Sequence, residues 1–416
     1  MHAARARPRV TRFRLLPDGA SSDAAVLLET RGIRALGDGL VSVVLAAYLT
    51  TVGLSEVRIG VVVTMTLLGS AALTLTVGLR AHAYPRRRLL QLVSLLMIAT
   101  GIGFALFTGF WPLAFVGLIG TLNPSGGDVS VFLPTEQALL PATVPDEQRT
   151  AIFARYSLIG TLVAALGASL AGVPEWIARH WSLDATTTLR FTFVGYALLG
   201  VVVLTRYRHL TPAIERTGDA PSRALGESKR TVYRLAALFS LDALGGGFVI
   251  TALLVLWLQR RFGLSLAVSG AVFFWAGLFS AFSALVAVRI AARIGLVRTM
   301  VYTHLPANGL LILTAFMPNA WLAVACLLAR SALSQMDVPA RTSYVMAVVS
   351  PEERPAAASV TNVPRSLASA LPPIAAGWML GHSTFGWPLV IGGSLKALYD
   401  ILLLFQFRDL KPPEER

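Results

Sequence analysis

Residues Pro134–Arg149 read PTEQALLPATVPDEQR, and 205 residues later Pro339–Arg354 read PARTSYVMAVVSPEER. Each copy descends from an apolar run into a proline-flanked acidic-basic turn, after which a second apolar run begins. A second register carries the same duplication: Gly53, Leu54, Ser55 and Gly60 recur 210 residues later as Gly263, Leu264, Ser265 and Gly270. Self-similarity at that spacing implies two copies of one large unit. The copies differ most at one position, Glu136 in the first and Arg341 in the second. An ionisable side chain in the last turns of a hydrophobic segment is costly, so opposite charges at equivalent places in two halves point to a polar axis within a membrane.

Composition agrees with a membrane setting. Of 416 residues, 55% are hydrophobic and 14% charged, and the mean hydropathy is +0.65; a water-soluble chain of this length is not so apolar. The net charge of +14 does not imply a nucleic-acid partner, because the cations sit in short clusters between apolar runs, as Lys and Arg do when held on one side of a bilayer. Cys326 is the single cysteine, which excludes an internal disulfide and a thiolate metal cage. Zinc or calcium spacing, a phosphate-binding glycine loop and a nucleophile motif are absent from the sequence. The chain is therefore expected to need no cofactor or metal, and to be neither an enzyme nor an ATP-driven pump.

The apolar runs define the organisation. A basic tail over residues 1–30, with Arg5, Arg7, Arg9, Arg12 and Arg14 and no adjoining apolar core, argues against a cleaved signal peptide. Six spans follow over residues 31–205, an extended charged linker over 206–232, six further spans over 233–407 and a short tail over 408–416. Each span has about the 20 residues that cross roughly 30 Å of hydrocarbon. The first is placed near Gly32–Thr51. The fourth is expected to break at Asn123–Asp128, where a proline and two glycines interrupt it. The fifth carries small residues at Gly160, Ala164, Ala168 and Gly172, a stripe that permits close helix packing. Twelve crossings put both termini on one side, and the basic clusters, Arg80–Arg88, Arg206–Arg234 and Arg289–Arg298, fall on that side, while Arg58, Arg179, Arg190, Arg260 and Arg261 fall on the other. By the positive-inside bias both termini are expected in the cytoplasm of a bacterial inner membrane.

Two six-span halves, a basic loop between spans two and three with an echo between eight and nine, and acidic-basic turns after spans four and ten resemble the major facilitator superfamily of secondary transporters. The resemblance covers nearly the whole chain. The family's loop after span two commonly reads G-x-x-x-D-R-x-G-R-R; here Gly78–Arg87 keeps the closing arginines but has His82 in place of the acid, Ala83 for the next arginine and Pro85 for the second glycine. Arg86, Arg87 and Arg88, with Arg293 and Arg298 in the second copy, are the implied cytoplasmic gating residues. The Gly-Pro signature of span five in the family's drug antiporters is missing.

The resemblance implies an all-α fold of two pseudo-symmetric bundles whose spans one, four, seven and ten surround a central cavity. RALGDG from Arg34 aligns with DALGGG from Asp242, a second exchange of charge between halves. Arg34, Asp38, Glu136, Asp242, Asp337 and Arg341 are then expected to face one another across the pathway, either handling substrate or locking the halves. Exchanging Glu136 and Arg341 together is expected to restore more activity than either single exchange. Asp38 and Asp128, each beside glycine within a span, are the candidate proton carriers, because desolvation raises a carboxyl pKa unless a cation offsets it. Arg155, Asn362 and Arg365 add polar groups for a ligand. His304, ahead of Pro306, reads as a core polar group with its needs met.

The expected function is secondary active transport of a small organic solute by alternating access, as proton-coupled efflux by a monomer in contact with membrane lipid. The alternatives are uptake or facilitated diffusion of an organic anion, and a non-transporting receptor or scaffold on the same fold.

Overall fold

A hydrocarbon environment offers no partner for backbone N–H and C=O groups, so a chain this apolar satisfies them within helices. The computed structural model describes residues 16–80, 84–125, 131–216, 225–226, 228–350 and 353–407, and no strand occurs among them. The first half comprises α1 (Ser22–Thr51), α2 (Glu56–Arg80), α3 (Arg86–Leu106), α4 (Phe110–Ile119), α5 (Phe132–Leu139), α6 (Arg149–Ser169), α7 (Val173–His180) and α8 (Ala185–Arg208). The second comprises α9 (Lys229–Gly247), α10 (Thr251–Phe262), α11 (Leu266–Ile294), α12 (Leu296–Phe316), α13 (Ala320–Ser334), α14 (Asp337–Ala347), α15 (Arg354–Ala370), α16 (Pro372–His382) and α17 (Trp387–Phe407).

Eight stretches among the described residues are long and apolar enough to cross a membrane. The other four crossings of the twelve-helix, two-bundle architecture are α4 with α5, α12, α13 with α14, and α15 with α16. Three of them are each split into two helices of 17 residues or fewer, too short singly to cross, and the fourth, α12, is made more polar by His304 and Asn308. The break in the fourth crossing lies between Ile119 and Phe132, as expected, but Asp128 falls outside the described residues. In the seventh crossing the chain leaves the helix after Gly245, Gly246 and Gly247 and re-enters at Thr251.

α1 begins at Ser22, not near Gly32. Its first turn is held by a contact the sequence does not reveal: Asp23 accepts from the Thr211 N–H at 2.9 Å and the Thr211 hydroxyl at 2.7 Å. The loop leading into α3 is also tied to the linker. The N–H groups of Arg86 and Arg87, which at the start of a helix precede any carbonyl of their own helix that they could reach, donate to the two oxygens of Glu215 at 2.9 and 2.8 Å. A carboxylate there also complements the helix dipole. Glu215 thus supplies an acid to a loop whose own acidic position is taken by His82. Arg88, Arg293 and Arg298 are exposed.

Within the first half α1 packs on α6 and α8, and α3 on α8; within the second α9 packs on α15 and α17, and α12 on α13 and α17. The halves meet along α2 with α15 and α16, α6 with α11, and α1 with α10. The stripe on α6 makes two of these contacts possible. Gly39 of α1 lies so close to the Ala164 carbonyl that a Cβ would overlap it, and a Cβ on Gly270 of α11 would stand 2.5 Å from the Ala168 carbonyl oxygen.

Polar joints between the halves lie toward the face opposite the one that carries the start of α1 and the linker. Arg260 pairs with Glu56, and the Leu266 N–H donates to Glu175 at 2.9 Å. Deeper in, the Thr251 hydroxyl donates to the Ser125 carbonyl at 2.8 Å. Gly270→Val should wedge this closed face open, with an overpacking cost of about 1–3 kcal/mol. In a Cys326→Ser background, a cysteine placed at Ser334 should then label roughly 5-fold or more faster from the opened face; unchanged labelling would mean that this seam does not set the closed state.

Candidate functional site

The charged residues expected along a common axis form two separate clusters, one in each half. In the first, Glu136 of α5 is fully buried. It pairs with Arg34 of α1 and accepts hydrogen bonds from Tyr156, from Tyr207 at 2.6 Å and from Thr30 at 3.1 Å. Arg34 stands over the Phe132 ring at 4.2 Å. A carboxylate in this position is anchored by one guanidinium and three hydroxyl donors, which is how a buried charge is made tolerable.

The second cluster has the reverse polarity. Asp242 of α9 receives Arg341 of α14 at 3.3 Å and Lys396 of α17 at 2.5 Å. Arg341 also reaches Asp337 at 3.3 Å. His304 of α12 is 3.9 Å from Asp242 and bonds Asp400 of α17 through Nδ1 at 2.9 Å. Asn308, one turn along α12, donates to Asp400 at 2.8 Å. Glu136 and Arg341 therefore do not pair, nor do Arg34 and Asp242, and the expectation that these four meet across the pathway is corrected. Positions related by the duplication are related by its pseudo-symmetry, so they occupy corresponding places in different lobes. The partner of each charge is instead on the neighbouring crossing of its own lobe, one with four and seven with ten.

Between the halves lies a cavity of about 390 Å³. Arg31, Asp38 and Ser42 of α1, with Gly160, Ala164 and Ala168 of α6, form the wall on one side. Gly246 of α9, Phe273 and Gly277 of α11, Arg330 and Ser334 of α13, and Gln335 just beyond α13 form the other. Of the expected site residues, Asp38 alone lies on this wall among those described, with the Tyr196 hydroxyl 3.5 Å from it. Arg155 and Arg365 are part-buried away from the wall and Asn362 is exposed. A buried Nη1 of Arg155 has no hydrogen-bond partner among the described residues. No group of three or more metal-ligating side chains occurs among the described residues.

Four residues escaped the sequence reading. Arg31 and Arg330 line the cavity, while Lys396 and Asp400, four apart on α17, complete the second cluster. The available signal was charge inside an apolar run, as in LLARSALS from Leu327 and SLKALYD from Ser394. Arg31 lies 5.1 Å from the Tyr156 ring, one turn before Arg34 on α1.

A family model described as Major Facilitator Superfamily matches residues 30–328 and 235–416. An uncharacterized membrane protein of Saccharomyces cerevisiae is 25% identical over 423 residues, covering 93% of this chain and 94% of that one. Among solved structures, the nucleoside transporter NupG aligns with a TM-score of 0.70 at 14% identity, over 93% of this chain and 100% of that one. A D-xylose-proton symporter aligns at 0.69 and 15% identity, over 92% and 97%. At these identities the two structures are likenesses of fold.

Proposed function

Because the chain belongs to the major facilitator superfamily and is a multi-pass membrane transporter, we propose that it carries a small organic solute outward by alternating access in exchange for protons. The observation that carries this reading is the central cavity, whose walls come from both halves, with the ion pair between the halves that is found among the described residues lying toward one face. Rocking the two bundles about such a site moves its opening from one face to the other. A volume of about 390 Å³ lies within the range of small-molecule sites, roughly 300–1,000 Å³. With the termini cytoplasmic, as the basic clusters favour, the closed face is the external one and the state is inward-facing. No covalent step is needed.

Asp38 is the proposed proton site on the cavity wall, and the His304–Asp400 pair is a second within the C-terminal bundle. A proton on Asp38 and a solute N–H or O–H donating to the same carboxylate exclude each other, which is the requirement for exchange. A broad compound library scored by thermal shift identifies ligands, since a molecule that binds only the folded protein raises its apparent stability. Each ligand is then added to proteoliposomes holding a pH-sensitive dye. Solute-driven proton flux is expected, and Asp38→Asn should lower it at least 10-fold while solute counterflow continues.

Solute uptake at the same rate without a proton gradient, and with no proton movement, would replace this reading by uptake or facilitated diffusion of an organic anion, which the cavity arginines Arg31 and Arg330 favour. The absence of flux under any gradient would leave a non-transporting receptor or scaffold.

A further inference from the structure

Arg330 sits on α13 in the wall of the central cavity, in the C-terminal half. Among the described residues its buried Nε has no hydrogen-bond partner and its guanidinium forms no hydrogen bond or ion pair. The nearest acid cluster is already engaged: Asp242 holds Arg341 and Lys396, and Asp337 holds Arg341. Arg330 is half-buried, and a guanidinium whose Nε is desolvated and unmet while the rest of the fork faces a cavity is stabilised by an anion that enters there. Its planar fork matches a carboxylate or phosphate oxygen pair.

The rest of the wall limits what that anion can be. Arg31, Asp38 and Arg330 are the charged residues among the described lining, so the cavity carries one positive charge in excess. Gly160, Ala164 and Gly277 leave room for a flat body beside the hydroxyls of Thr161 and Ser280, and Phe273 supplies an aromatic surface. We propose that the solute is a small organic monoanion whose acidic group is bound by Arg330, with its body between α6 and α11. Asp38, on the opposing wall, repels a second anionic group and so excludes dianions. This inference rests on the transport reading for its biological sense, but it concerns selectivity and holds for either direction of movement.

Its test uses the full chain in detergent or nanodiscs and three matched sets of probes. Benzoate and indole-3-acetate are compared with benzamide and indole-3-acetamide, and with benzylamine and tryptamine, by thermal shift at millimolar concentration. The monoanions are expected to stabilise the protein and the amides and amines not to. Arg330→Gln should weaken binding of the monoanions at least 10-fold, while Arg330→Lys, which keeps the charge but not the fork, should retain part of it. Because Arg330 has no partner to lose, Arg330→Gln without ligand should melt no lower than wild type; an arginine with a purely structural role would lower it.

Amides that bind as well as their carboxylates, carboxylate binding that survives Arg330→Gln, or the absence of any anion-dependent shift would each overturn the proposal. Neutral solutes that bind and cross the membrane would remove this inference and leave transport standing. Anion binding through Arg330 without flux of any solute would do the reverse.

Discussion

Glu136→Gln is expected to destabilise the N-terminal bundle by about 3–5 kcal/mol, the cost of breaking a buried ion pair from one side. Arg34 is 2% exposed and packs on Phe132, so water cannot replace the carboxylate. The effect should be asymmetric. Arg34→Met leaves Glu136 with three hydroxyl donors, from Thr30, Tyr156 and Tyr207, and should cost less than Glu136→Gln. The double variant Arg34→Met, Glu136→Gln should be more stable than Glu136→Gln alone, since it removes both charges. Thermal unfolding of the four proteins closes the cycle, and simple additivity would mean that the two do not interact. Exchange across the halves gives a sharper contrast. Glu136→Arg with Arg341→Glu brings like charges together in both bundles, beside Arg34 in one and beside Asp242 and Asp337 in the other. The combination should be at least as damaging as the worse single change; recovery would restore the pairing across the pathway that the structure contradicts.

Asp242→Asn should have a comparable or larger effect, because one carboxylate holds two cations. Lys396 lies 2.5 Å from it and Arg341 3.3 Å, and both are almost wholly buried. A loss of about 3–5 kcal/mol is again expected, falling mainly on Lys396. Arg341 keeps Asp337 at 3.3 Å, whereas the structure gives Lys396 no other acid within ion-pair distance among the described residues. Combining Asp242→Asn with Lys396→Met should therefore recover much of the stability, while adding Arg341→Met should recover less. The yield of monodisperse protein and its melting temperature measure both. Equal rescue by the two second changes would show that Asp242 serves both cations alike.

Pairing within each lobe has a mechanical consequence. An ion pair that spanned the halves at this depth would have to be broken and remade whenever the lobes rock, in surroundings where separated charges cost several kcal/mol each. Pairs inside a lobe move with it as a rigid body. The one ion pair described between the halves, Arg260 with Glu56, is part-exposed at the closed face, where water screens the charges and opening costs about 1 kcal/mol or less.

Much of this architecture can be read along the chain. The offset copies at Pro134 and Pro339 reveal the duplication, the apolar runs count the crossings, and Asn123–Asp128 marks a broken helix, since each depends on local composition and on the demand that backbone groups be satisfied within lipid. Asp38 was legible as a charge beside glycine in an apolar run, and it does line the cavity. Contacts between charges were not legible. Alignment of the halves matches Glu136 with Arg341 and Arg34 with Asp242, but matching is a statement of symmetry, and symmetry holds equivalent residues apart. That Arg34 meets Glu136, that Lys396 and Asp400 enter the cluster around Asp242, and that Arg330 faces the cavity with no ion-pair partner among the described residues all depend on how each helix is rotated about its axis. That rotation is set by close contacts such as Gly39 on Ala164 and Gly270 on Ala168. In a bundle that is apolar on every side, hydrophobic periodicity is too weak to orient a helix, and packing of small residues does so instead.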